Sequence, residues 1–258
     1  LRLFDSHCHL DFPPLAEAMA EVAARARAAE VDRVLVPGVD PAQWARAEGL
    51  VGEGLALRFA VGLHPFRLLE RDDAELSEEL GRLPEVAERL GAVAVGELGW
   101  DRRLRARGVD VERQDRWARA QLRVARELGL PVILHVVRSH GAALDALEEG
   151  TVGVVHAYGG AAELVPKYLA KGLSLSFAPP VLRSPRIAEA LKRVPLDRLL
   201  IETDGPDMSP APDRAGEPAD VRAVLFGVAA IRGELPEVVA EATARNAERL
   251  FSAPPAGR

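Results

Sequence analysis

The sequence predicts an α/β protein, a (β/α)8 TIM barrel in a single domain, and three observations lead there. Eight short apolar runs recur along the 258 residues. Amphipathic stretches separate them. The runs are near-continuous in Val, Leu and Ile, as strands of a parallel sheet covered on both faces should be. Eight such units over about 250 residues match a barrel. A doubly wound open sheet is the second candidate, but no Gly-rich phosphate fingerprint follows any run.

Taken in order, the first strand is expected at Arg2–Phe4, just before DSHCHLD (5–11). RVLVPGV (33–39), RFAVGLH (58–64) and AVAVGELG (92–99) give the next three. The clearest helix precedes the fifth. In DVERQDRWARAQLRVARELGL, Trp117, Gln121, Val124 and Leu128 recur at helical spacing. Asp110 is placed to cap its start, and Gly129 followed by Pro131 to stop it. PVILHVV (131–137), VGVVHAY (152–158), LSLSFAP (173–179) and LLIETDGP (199–206) complete the eight. The barrel is expected over residues 1–252, with 253–258 as a frayed tail.

Composition narrows the classes. With 48% apolar and 28% charged residues the chain reads as globular. No uncharged apolar run reaches membrane-spanning length, no secretory signal is visible at the start, and one cysteine fits a reducing, cytoplasmic setting. A net charge of −6 argues against coating nucleic acid through bulk positive charge. It leaves room for an enzyme that grips phosphate locally, because bound cations reverse the local sign. Lysine occurs only at Lys167, Lys171 and Lys192 and asparagine only at Asn246, the usage of a thermophile or of a biased codon set.

The ionisable residues fall in a pattern. On a strand, His7 and His9 would share a face and Cys8 would turn away into packing. That pair alone fits a metal site or two half-buried histidines equally. Position decides between them. His7 and His9 end the first expected strand, His64 the third, Glu97 the fourth and His156 the sixth. His135 lies late in the fifth and Asp204 ends the eighth. Five of the six histidines thus gather on the C-terminal rim, where barrels keep their chemistry. Four imidazoles and two carboxylates suit Zn, Mn, Co, Ni or Fe, and Mg less well. They are too many for one open zinc site and suit two divalent ions, with Glu97 bridging. Asp204 can touch a metal and take a proton from the attacking water, or cap a following helix. Glu202, on the same face, reads as a support for Asp204, and His140 as a surface histidine.

With these residues assembled, the chain resembles the TatD family of metal-dependent deoxyribonucleases, within the wider amidohydrolase-like barrels. The motifs run from DSHCHLD through GLHP (62–65), GELGWD (96–101), LPVILH (130–135), HAYGG (156–160) and ETDGP (202–206) to TARNAERLF (243–251). The resemblance implies one metal held by His7, His9, Glu97 and Asp204, and a second by Glu97, His135 and His156. It implies hydrolysis of DNA phosphodiesters with Asp204 helping to activate water, and it makes His64 a substrate contact.

Some positions depart from the family. It usually reads His-Ser-Arg after the fifth strand, with the arginine suited to a phosphate; here Val137 takes that place and Arg138 lies one further on. Asp207 and Met208 stand where an aromatic or leucine is common, and Gly159 replaces a serine. Candidates for positive charge near the site are Arg138, if a loop brings it back, Arg67, and the loop DRRLRARG (101–108), the last two reading equally as a solvated surface. A hydrolase of a small phosphoester, lactone or amide is a rival reading. Binuclear amidohydrolases of that kind often bridge their metals with a modified lysine on the fourth strand, and Glu97 holds that place. A non-catalytic metal-dependent binding protein is the other rival. No membrane association and no obligate protein partner are expected.

Overall fold

The apolar runs become eight parallel strands arranged in chain order around one sheet, in a computed structural model that describes residues 1–211 and 213–252. The strands are β1 (Leu3–Asp5), β2 (Val31–Val36), β3 (Ala56–Val61), β4 (Ala94–Asp101), β5 (Val132–Val137), β6 (Gly153–Val155), β7 (Leu173–Phe177) and β8 (Leu199–Ile201). The backbone N–H of Ser6 donates to Ile201 O at 3.2 Å and that of Asp204 to His7 O at 2.8 Å, which brings the eighth strand back to the first. The expected (β/α)8 barrel is therefore the fold. The tail at 253–258 lies outside the described residues.

Ten helices fill the connections among the described residues: α1 (Met19–Ala28), α2 (Pro41–Glu48), α3 (Asp73–Gly81), α4 (Leu83–Leu90), α5 (Val111–Leu128), α6 (His140–Ala146), α7 (Val165–Lys171), α8 (Pro185–Lys192), α9 (Val221–Arg232) and α10 (Pro236–Leu250). None of the described helices is long and apolar enough to cross a membrane. α5 begins and ends where expected: the Asp110 carboxylate accepts from Arg113 N at 2.7 Å, and Gly129 takes the left-handed conformation. Its buried glutamines steady the rim above. Gln121 accepts from Leu63 N at 2.7 Å and donates to Leu63 O at 3.0 Å, and Gln114 accepts from Asp101 N at 2.7 Å.

Alternation along the strands builds two apolar layers. Outward residues such as Val34, Val61, Leu134, Val155 and Leu199 pack under the helices. Inward residues Phe4, Leu35, Ala60, Ile133, Val154 and Leu200 form a plug that Phe251 closes from below. The next inward positions above Ile133, Val154 and Leu200 are His135, His156 and Glu202. The period of two thus sets a polar floor on an apolar plug.

β1 is shifted one residue from its expected run and ends at Asp5, while β3 stops at Val61, β6 at Val155 and β8 at Ile201, short of theirs; His7, His9, His64, His156 and Asp204 therefore follow their strands in rim loops rather than lying on them. The chain leaves the ladder after β8 because the Asp5 carboxylate takes Thr203 N (2.9 Å) and Thr203 Oγ1 (2.6 Å), and Asp204 then adopts a left-handed φ of 53°.

Candidate metal centre

Glu97 reaches the barrel interior through an irregularity in β4. Val95 pairs with Val132 and Leu98 with Leu134, so β4 spends three residues where β5 spends two. The extra residue reverses the alternation: Ala94 faces in, and after the bulge so does Glu97 while Leu98 and Trp100 face out. Close backbone approach makes this possible. Gly38 O accepts from Glu97 N at 2.7 Å, and a Cβ on Gly62 would fall 2.6 Å from Gly96 C.

The Glu97 carboxylate then stands between two groups of imidazoles. Its Oε2 lies 3.3 Å from His7 Nε2 and 3.1 Å from His9 Nε2, with Asp204 Oδ1 at 3.5 and 3.6 Å from the same two nitrogens. Its Oε1 lies 3.0 Å from His135 Nδ1, 2.9 Å from His156 Nε2 and 3.5 Å from His64 Nε2. Each oxygen serves a different cluster. His7 and His9 converge although they lie off the strand, and Cys8 between them is fully buried in packing with its Sγ 3.7 Å from Gly205 O.

Charges reinforce the cluster. Burial works to raise Glu97, yet the imidazoles of His156, His64 and His7 hold it well below the usual carboxylate range. For His156, His135 and His9 burial opposes the charged form. The nearby carboxylates together outweigh it, Glu97 with Glu202 at His156, Asp101 with Glu97 at His135 and Glu97 with Asp204 at His9, so all three rise above the ordinary imidazole value. Asp204 is raised by burial, against the pull of His156, His7 and His9. His64 falls to about 3, mainly through burial.

These donors fit divalent cations. His7 Nε2 is buried without a hydrogen-bond partner, and Glu97 Oε1 faces three ring nitrogens at once, while His135 Nδ1 and His156 Nε2 stand only 3.1 Å apart. Lone pairs crowded in this way repel unless a proton or a cation lies among them. Donors bound 2.0–2.2 Å from a shared ion are themselves roughly 3.0–3.5 Å apart, the range of separations found here. His7, His9 and Asp204 form one metal-capable group; His64, Glu97 and His135 form another.

On the far side of the pair, one ring is held by a carboxylate hydrogen bond and the other faces a carboxylate at ion-pair range. Asp101 Oδ2 lies 3.2 Å from His135 Nε2, and Glu202 Oε1 lies 3.6 Å from His156 Nδ1 while accepting from Ala157 N at 2.5 Å. Glu202 therefore backs His156, not Asp204 as the sequence suggested, because its Oε1 is held against the loop that follows β6. Asp101 was not singled out from the sequence, although it ends β4 two alternations beyond Glu97 on the same face. That spacing was the available signal.

The expected substrate contacts divide. His64 is at the cluster. Arg138 follows β5 directly, exposed and with a left-handed φ of 52°. Arg67 is engaged away from the cluster: its guanidinium donates to Glu79 (3.0 and 2.5 Å) and to Glu70 (2.6 Å). In the arginine loop, Arg103 bonds Asp101 through Nε at 2.9 Å. His140 is half-buried rather than superficial, its Nδ1 2.8 Å from the Tyr168 hydroxyl.

Known proteins resemble this chain along nearly its whole length. The family model described as TatD related DNase matches residues 4–252. The metal-dependent hydrolase YabD of Bacillus subtilis (strain 168) is 31% identical over 96% of this chain and 98% of its own length. The 3'-5' ssDNA/RNA exonuclease TatD of Citrobacter rodentium (strain ICC168) is 33% identical over 96% of this chain and 97% of its own. The crystal structure of YjjV, a TatD homologue from Escherichia coli K12, superposes with a TM-score of 0.84 at 30% identity, covering 98% of this chain and 99% of that one.

Proposed function

Since this chain belongs to the TatD-related DNase family, we propose that it is a metal-dependent hydrolase of phosphodiester bonds in DNA, with two divalent ions at the rim centre. The observation that carries this reading is the Glu97 carboxylate, which turns one oxygen to His7 and His9 and the other to His135 and His156. His7, His9, Asp204 and Glu97 would hold one ion; Glu97, His135 and His156 would hold the other, whether Zn, Mn or Mg. Such a pair lowers the pKa of a water and neutralises charge gathering on a phosphoryl group.

The residues of this chain do the remaining work. Asp204, beside His7 and His9, accepts the proton of the attacking water. The water oxygen bonds to phosphorus as the ester oxygen leaves. Asp101 holds the ring of His135 so that its opposite nitrogen faces Glu97, and the Glu202 carboxylate acts on His156 through its charge at 3.6 Å. His64 and the exposed Arg138 are the substrate contacts.

The test is a substrate panel. Protein loaded with Mg, Mn or Zn is incubated with end-labelled single- and double-stranded DNA and with methyl p-nitrophenyl phosphate. Nucleotide release that disappears on chelation and in His135→Ala is the expected result. Turnover of the small ester alone would replace DNA by a small phosphoester. Tight metal binding with no turnover of any substrate would leave a binding protein.

A further inference from the structure

His7, His9 and Asp204 hang from two loops that lie far apart in the chain: the first two follow β1 and the third follows β8. Direct bonds knit the loops together. Asp204 N donates to His7 O at 2.8 Å, and His9 N donates to Gly205 O at 2.8 Å. Beneath them lies the side chain of Asp5, fully buried at the end of β1. Its Oδ1 accepts from Thr203 N at 2.9 Å and from His7 N at 3.3 Å, and its Oδ2 accepts from the Thr203 hydroxyl at 2.6 Å. The Thr203 oxygen in turn accepts from Gly205 N at 3.3 Å. Thr203 is fully buried as well.

These bonds grip the residues on either side of Asp204. Thr203, before it, is held directly by Asp5, and Gly205, after it, is held through the Thr203 hydroxyl. Asp204 itself has a φ of 53°, a left-handed backbone that a residue other than glycine keeps only where its surroundings impose it. With both neighbours fixed, its Oδ1 stands 3.5 Å from His7 Nε2 and 3.6 Å from His9 Nε2. The other half of the centre has separate supports. There Asp101 bonds His135 and Glu202 faces His156, and among the described residues the Asp5 carboxylate bonds neither ring.

We propose that Asp5 and Thr203 are positioning residues for a single ion: the bonded pair sets Asp204 against His7 and His9 and thereby governs the affinity of that site and not of its neighbour. The inference rests on the two-ion reading above and adds which side chains tune one half of the centre independently of the other. Neither residue is a metal ligand or a substrate contact. Both act through the backbone of Asp204, and so through the placement of the carboxylate that accepts the proton of the attacking water.

Calorimetric titration of the metal-stripped protein with Mn tests this without turnover. Thr203→Val keeps the shape of the side chain and the backbone bond to Asp5 but removes the hydroxyl. It should weaken one ion by roughly ten- to a hundredfold, the range for groups that orient a ligand, and leave the other at wild-type affinity. Thr203→Ser restores the hydroxyl and should recover both affinities. A role in packing alone would give the reverse order, because serine fills less space than valine. Combining Thr203→Val with Asp101→Asn, which loosens His135, identifies the site: variants acting on different halves give two weakened ions, and variants acting on the same half give one ion weakened twice. Asp5→Asn loses one acceptor oxygen at constant size, should reproduce Thr203→Val, and replaces it if circular dichroism shows that the valine variant does not fold. Two wild-type affinities in a folded variant, equal weakening of both ions, or one ion weakened twice in the combined variant would overturn the role of Asp5 and Thr203 and leave the two-ion centre standing. A wild type that binds a single ion would overturn both.

Discussion

Asp101 Oδ2 lies 3.2 Å from His135 Nε2, on the side of the ring away from Glu97. This contact fixes which nitrogen faces the centre: with Nε2 held by the carboxylate, Nδ1 is left to point at Glu97 and His156. Partners of this kind are typically worth ten- to a hundredfold in metal affinity or activity. Asp101→Asn should weaken binding of one ion by about that factor and leave the other nearly unchanged. Calorimetric titration with Mn or Zn should therefore resolve a tight and a weakened site. Two sites of wild-type affinity would remove Asp101 from this role.

In the proposed two-ion centre Glu97 is common to both sites, so its loss should be felt at both. Glu97→Gln keeps the shape and removes the charge that the surrounding imidazoles need. An ion present at a hundred times its Kd stabilises a fold by about 2.7 kcal/mol. The rise in melting temperature on adding metal to the stripped wild type should largely vanish in this variant. A full metal-induced rise in Glu97→Gln would mean that the ions are held without it.

The barrel was legible in the sequence because it follows a periodicity, and the rim residues because each lies at or just beyond the end of an apolar run. His135 and His156 lie one alternation above Ile133 and Val154, so the rule that marks the plug also marks the floor of the site. Glu97 is different. Counting in twos from Ala94 turns it outward, and only the bulge between Val95 and Leu98 turns it in. No residue in that stretch announces a bulge except Gly96, and a strand glycine has several causes. Roles set by contacts between remote loops were harder still. Glu202 could be placed on a face but not assigned to His156 over Asp204, and Arg67 looked free because Glu79 lies on a helix twelve residues later.

That Arg67–Glu79 pair gives a test separating structure from chemistry. Both side chains are 11% exposed, and Arg71 Nε, at 3.3 Å from Glu79, offers only partial compensation. Removing one partner of a buried pair costs several kcal/mol, because the other is left desolvated. With Arg71 nearby, Arg67→Ala should lose about 2 kcal/mol in urea denaturation. Its kcat/KM per folded molecule should stay near wild type, since the guanidinium is spent on carboxylates. A specific loss of DNA hydrolysis at wild-type stability would return Arg67 to the substrate.

His140 predicts an acid-side weakness remote from the metal cluster. It is packed between Tyr158 and Tyr168, and burial, helped by Arg186, lowers its pKa to about 4 from the ordinary value of 6.5. Between those values the unfolded chain binds a proton that the folded one refuses, so stability falls as pH drops from 6.5 towards 4 and levels off below it. The linkage limit is roughly 3 kcal/mol, and the ring's partial access to solvent reduces the expectation to about 1–2 kcal/mol. His140→Phe fills the same space without a titrating nitrogen. Its urea midpoint should therefore decline less steeply over this range than that of the wild type, both measured metal-free so that the rim imidazoles contribute equally. Parallel declines in the two proteins would show that His140 titrates alike folded and unfolded, and that the acid sensitivity belongs to the rim.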